Sequence, residues 1–130
     1  MRNLTILLAL VFTVMFSSTS FAEWKKVSES VDGDTFYVDF ERIRKHGGYV
    51  YYWYLSDYLK PTEYGDLSGK VYHQGDCQLF RYKSLSYVHH KQPMGQDTGT
   101  DYSPKNPEWN YPSPNSSMET ILKSVCAYAK

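Results

Sequence analysis

Long apolar runs are missing from this chain beyond residue 22. The one near its start, Leu4 to Phe16, is interrupted by Thr5 and Thr13. It falls short of the roughly 20 apolar residues that cross a bilayer, so no membrane span is expected. Blocks of one charge are missing too. Lys plus Arg and Asp plus Glu number 14 each, a formal net charge of zero. That balance argues against a grip on nucleic acid or on anionic membrane surfaces. The small clusters Lys25-Lys26 and Arg42-Arg44-Lys45 read as solvated edges, with contact to an acidic partner as the alternative. There is no Gly-rich phosphate loop and no Gly-x-Ser-x-Gly elbow to present a nucleophile. Cysteine is scarce: Cys77 and Cys126 are the two copies, and neither stands near residue 22, where a lipid-anchored exported protein needs its acylation site. Leu, Ile and Val are sparse after that point, and Tyr takes their place, with all 13 copies beyond it.

What is present begins with a leader. Arg2 is followed by the apolar run, then by Ser17 to Ser20, and Ser20-Phe21-Ala22 fits the small-x-small cleavage rule. Residues 1–22 are therefore expected to be a signal peptide, with an N-terminal anchor that is never cut as the alternative, and residues 23–130 one domain, too short for two. The product is expected to be exported without a lipid anchor, to the periplasm or beyond the cell. Two cysteines in an exported domain read as a disulfide, with two free buried thiols as the alternative. Tyr suits strands and can stand half-buried with its hydroxyl in water, which fits a curved antiparallel sheet and a protein-binding surface.

The clearest helix lies at the end of the chain. Met118, Ile121, Leu122, Val125, Cys126 and Ala129 share one face at 3.6 residues per turn, opposite Glu119, Thr120, Lys123 and Ser124. Ser116 followed by Glu119 is a capping box, which starts the helix near Ser117. Strands are expected over 23–28, 35–40, 49–59 and 70–72, the last continuing as 77–90 with an interruption near Lys83-Ser84 as the alternative, and with a short helical turn over 41–45 and Gly75 marking a bulge or kink. A Pro-containing segment, 91–115, reads as irregular and either mobile or functional, its far end pinned by Trp109 and Tyr111. In the strand at 49–59, Tyr49, Tyr51, Trp53, Leu55 and Leu59 share one face, and Val50, Tyr52, Tyr54, Ser56 and Tyr58 the other. The Trp53/Leu55 face is expected to meet the helix. Tyr52, Tyr54 and Tyr58 would then form an aromatic ladder that is wet or covered by a partner, the candidate binding surface. Cys77 is placed in a strand, facing the helix so as to meet Cys126.

Chemistry is thinly signalled. His73 with His89 or His90 and Asp76 makes at most a weak metal site, and solvated histidines are the plainer reading. Asp32, Asp34 and Asp39 lack the later ligands of a calcium loop and read as a turn. Asp57 and Asp76 could face each other across strands as paired carboxylates, with His73 nearby, but nothing sets their separation. No catalytic residue, metal or cofactor is expected.

The ordered landmarks resemble the bacterial surface-adhesin protein E family. They are Trp24, Phe36-Tyr37-Val38-Asp39, Ile43, Tyr51-x-Trp53-x-Leu55-Ser56-Asp57-Tyr58, Ser68, Asp76-Cys77, Arg81, Leu85, Tyr87, Trp109, Pro112 and a terminal helix with Cys126. The resemblance implies an α+β fold: a single antiparallel sheet of about six strands with a C-terminal helix on one face, tied by Cys77–Cys126. It also implies a non-enzymatic binding module whose partners are host matrix or plasma proteins such as vitronectin or laminin, and which can form a homodimer. A soluble periplasmic protein of structural or inhibitory type, acting on another envelope protein, is the alternative.

Overall fold

Antiparallel pairing organises the computed structural model, which describes residues 22–130. The expected leader lies outside them except for Ala22. Seven strands form one sheet: β1 (Lys25–Glu29), β2 (Thr35–Val38), β3 (Arg44–His46), β4 (Tyr49–Asp57), β5 (Ser68–Asp76), β6 (Arg81–His90) and β7 (Thr100–Tyr102). Their order is β1-β2-β4-β5-β6-β7, with β3 paired to β4. The helix α1 spans Ser117–Tyr128. This is the α+β sheet-and-helix arrangement expected, with one more strand.

Local chemistry accounts for most elements. Gly33, Gly47 and Gly48 take positive φ at the turns before β2 and β4, a conformation open to glycine at little cost. The turn at Gly47-Gly48 folds Arg44–His46 back as a strand, pairing Arg44 with Tyr51 and Lys45 with Val50. The helical turn expected over 41–45 therefore shrinks to a 3-10 turn at Phe40–Arg42. The Ser116 side chain caps α1 by accepting from the Glu119 N–H at 3.2 Å. The Glu119 carboxylate reaches back past the cap residue to the Asn115 N–H at 3.2 Å.

The helix lies on the Val50/Tyr52/Tyr54 face. Val38, Val50, Tyr52, Tyr54 and Val71 form one core with Ile121, Leu122 and Val125. Tyr52 is 1% and Tyr54 8% exposed. The expectation that Tyr52 and Tyr54 form a wet ladder is thus corrected: they are the floor under the helix. Tyr58, beyond the end of β4, is half-buried at the β5 border, its hydroxyl close to Gly69. Gly75 is not a bulge. It stays regularly paired with Val50 and Tyr82, and a Cβ there would come within 2.9 Å of Val50 and 3.2 Å of Leu122. The bulge falls instead in β6, where Tyr72 pairs with Ser86 but His73 with Ser84.

Cys77 bonds Cys126, as expected, but from the turn between β5 and β6 and not from a strand. The turn is organised by Asp76, whose Oδ1 accepts from the Gln78 and Leu79 N–H groups at 3.1 Å each. The segment 91–115 is also more ordered than expected. It carries a 3-10 turn at Pro93–Gly95 and strand β7, and it packs on the face opposite the helix. There the Asp57 carboxylate accepts from the Met94 N–H at 2.8 Å, and Ser68 Oγ accepts from the Gly95 N–H at 2.8 Å. Trp109 is a pin, and Tyr111, although 65% exposed, hydrogen-bonds the Arg81 side chain.

Candidate functional site

The helix-free face carries the alternate residues of the same strands. In β4 these are Tyr49, Tyr51, Trp53 and Leu55. Register places Gln74 opposite Tyr51, Tyr72 opposite Trp53 and Lys70 opposite Leu55. The next strand adds Lys83 beside Gln74 and Arg81 beside Asp76. Leu55 is buried on this face, where the Pro93–Gly95 turn packs on β4 and β5. Further along, Tyr49, Tyr51, Trp53 and Tyr72 stay partly open to solvent.

These rings touch in sequence across the sheet. Trp53 and Tyr72 centroids lie 4.9 Å apart, Tyr72 and Tyr51 6.2 Å, and Tyr49 and Trp109 5.5 Å. Trp109 reaches the face because the Asn110 backbone bridges to Tyr82, exchanging both N–H···O bonds. Two cations hold its ring: Arg81 Cζ is 4.2 Å and Lys83 Nζ 4.6 Å from the centroid. Contacts of this kind contribute about 0.5–1 kcal/mol at exposed sites. Arg81 is also paired with Asp76 at 3.0 Å. Burial pushes the Asp76 carboxyl up, but the Leu79 N–H, the Arg81 guanidinium and the Gln78 N–H outweigh it, so its pKa lies below the ordinary value. Lys83 and Arg44 have no carboxylate within ion-pair distance among the described residues. The patch is therefore aromatic at its centre and cationic at its margin, an interface composition.

The residues considered for chemistry are separated or consumed. Asp57 and Asp76 stand near opposite ends of β5, with Ser68 and Arg81 as neighbours, roughly 26 Å apart along the strand at 3.3 Å per residue. His73 is buried in the helix-side core between the Tyr52 hydroxyl, 3.1 Å from Nδ1, and Ser84 Oγ, 2.9 Å from Nε2. Tyr82 stacks on its ring at 4.5 Å. Burial lowers the His73 pKa to about 3, so the ring is neutral and each nitrogen has a partner. His90, on the opposite face, is bonded to Asp97 at 3.1 Å. No group of three or more His, Cys, Asp or Glu side chains among the described residues is placed to hold a metal. A mainly apolar cleft of about 460 Å³ lies beside the disulfide, lined by Lys45, His46, Tyr49, Val50, Ala129 and Lys130.

The open aromatic set is visible in the sequence as a parity class, but it lies opposite the helix and not, as its Trp53/Leu55 members suggest, against it. The signal that separates the faces lies in β5. Lys70, Tyr72 and Gln74 alternate with Val71, His73 and Gly75, and the second set is the one with room and apolarity for a helix. Cys77 cannot orient the sheet, because strand parity ends at the turn.

No helix among the described residues is long and apolar enough to cross a membrane. No curated protein matches the chain. Several solved structures share its fold, among them the following three. Crystal form II of Haemophilus influenzae protein E is 17% identical, with a TM-score of 0.59 over 87% of this chain and 94% of that one. A second structure of Haemophilus influenzae protein E is 15% identical, with a TM-score of 0.56 over 85% and 88%. The selenomethionine form is 16% identical, with a TM-score of 0.58 over 85% and 90%. The family model for surface-adhesin protein E matches residues 24–127, nearly all of the described chain, and the chain belongs to that family.

Proposed function

We propose that this protein is an exported, non-enzymatic binding module of adhesin type, and that it holds a protein partner against the helix-free face. The partner is a host matrix or plasma protein such as vitronectin or laminin. Export follows from cleavage of the leader after Ala22. The observation that carries the reading is the set of half-open rings at Tyr49, Tyr51, Trp53, Tyr72 and Trp109, margined by Arg44, Arg81 and Lys83. Rigid rings give contact area at low entropic cost, and their desolvation is the usual source of hot-spot energy. A second copy of the chain is a further partner, because the sheet ends in the open strands β1 and β7.

The test is binding of the mature domain to immobilised vitronectin and laminin. The paired variant Tyr51→Ala/Tyr72→Ala is expected to weaken binding at least tenfold, and Lys83→Glu several-fold. Tyr64→Ala, at an exposed loop position away from the face, is expected to leave it unchanged. Equal losses in all three would sink the proposal. Protease shaving of intact cells separates the surface reading from the periplasmic one. A domain protected until the outer membrane is opened directs the search to envelope proteins.

A further inference from the structure

At the β1 end of the helix-free face, the described chain leaves a buried charge without a hydrogen-bond donor. Asp39, just after β2, is 1% exposed. Neither carboxylate oxygen has a donor among the described residues. Arg42, with a half-exposed side chain, brings Nε to 3.4 Å from Oδ2. Burying a carboxylate without donors is costly, which makes a further cation the natural complement.

Strand register says what surrounds it. Val38 pairs with Lys25 on one side and Tyr54 on the other. One residue beyond that rung, along the three segments, stand Asp39, Trp24 and Trp53. These three line a groove of about 280 Å³ together with Ala22, Arg42, Lys70 and Asp101. The junction between Ala22 and Glu23 thus runs along the rim. While the leader is attached, the Glu23 nitrogen is a neutral amide. Hydrolysis consumes one water, leaving a carboxylate on Ala22 and an ammonium on Glu23, and it removes Ala22 from the lining. The Glu23 nitrogen is about 5 Å along the chain from the Trp24 Cα, within side-chain reach of the neighbouring rung.

We propose that the groove is a receptor for this ammonium, and that the mature N-terminus docks between the two indoles onto Asp39. The inference rests on cleavage after Ala22, proposed above, and goes beyond the partner reading. A compact cation between indole faces gains cation–π attraction as well as the ion pair. Docking also completes the β1 end of the partner face only after export. The charged groups facing the site are the Glu23 side chain from the same residue, Asp39 and Arg42 after β2, Lys70 from β5 and Asp101 from β7. The three carboxylates favour the ammonium, and Arg42 and Lys70 oppose it.

The experiment uses protein purified after export. Intact mass locates the N-terminus, and a mature chain that does not begin at Glu23 overturns the proposal while leaving partner binding to its own test. NMR titration of the Glu23 α-amine is expected to give a pKa at least one unit above the ordinary value of about 7.7–8.0. Asp39→Asn is expected to return it to that range. Two residues, Gly-Ser, placed ahead of Glu23 are expected to lower the Tm by about 4–8 °C in the native background and not in the Asp39→Asn background. The raised pKa sets the sign: the stabilisation is complete below pH 7.7 and is lost as pH rises through the folded-state value. An ordinary titration, or an extension effect of equal size in both backgrounds, overturns the proposal. If Asp39→Asn does not fold, the wild-type titration and the extended chain still decide it.

Discussion

Tyr52 and Tyr51 are neighbours in sequence and opposites in environment. The first is sealed under α1 with its hydroxyl bonded to His73, and the second lies half-open beside Tyr72. The same contrast divides the sheet. On the helix side, tyrosines act as large core residues whose hydroxyls must find internal partners, and burial drives the Tyr52 and Tyr54 pKa values well above the ordinary one. On the other side, rings lean on one another and on cations, and no helix among the described residues covers them. One residue type serves both roles because its ring packs in either setting, and its hydroxyl accepts water or a histidine equally well. Tyrosine content alone therefore cannot tell a core from an interface.

The comparison can be broken most directly by truncation. Tyr52→Ala is expected to cost about 3–5 kcal/mol, the range for removing a large buried ring, read as a shift in the urea midpoint. Tyr51→Ala is expected to cost about 1 kcal/mol or less in the same measurement. Similar losses would mean that the two faces are equally packed.

The disulfide sharpens the comparison next, because it ties α1 to one face only. Cys77→Ser and Cys126→Ser are each expected to cost about 2–4 kcal/mol, with the double variant no worse than either. Additive losses would mean that each sulfur stabilises the fold separately from the bond.

A smaller effect is expected from pH. His73 is held neutral with a folded-state pKa of about 3, against an ordinary value of 6.5. The unfolded chain takes up this proton below pH 6.5 and the folded chain does not until about pH 3. The stability is therefore complete above pH 6.5 and falls across that window by about 1.4 kcal/mol per unit at most. His73→Gln is expected to flatten the slope of unfolding free energy against pH between 6 and 4. An unchanged slope would show that His73 is not held neutral in the core.

How much could be read without the structure varied with the range of the interactions. The helix and its start were legible because period and cap are local: Ser116 and Glu119 act within one turn, and the apolar stripe is a property of consecutive residues. The two parity classes of β4 were legible for the same reason. Which class faces the helix was not, because that depends on what β5 and β6 bring alongside. Segment 91–115 looked irregular, since its ordering comes from Asp57 and Ser68, two distant residues that accept its N–H groups.

By itself, then, the sequence determined a capped amphipathic C-terminal helix, strands with two distinct faces, and a single pair of cysteines that could join. Each of these follows from spacing along the chain. Only the tertiary structure decided that Val71, His73 and Gly75 make room for α1, that Tyr52 and Tyr54 lie beneath it, and that Tyr51, Trp53, Tyr72 and Trp109 are left on the open side. The physical reason is that a strand offers two nearly equal apolar faces here, and the choice between them is made by the size and polarity of side chains on neighbouring strands.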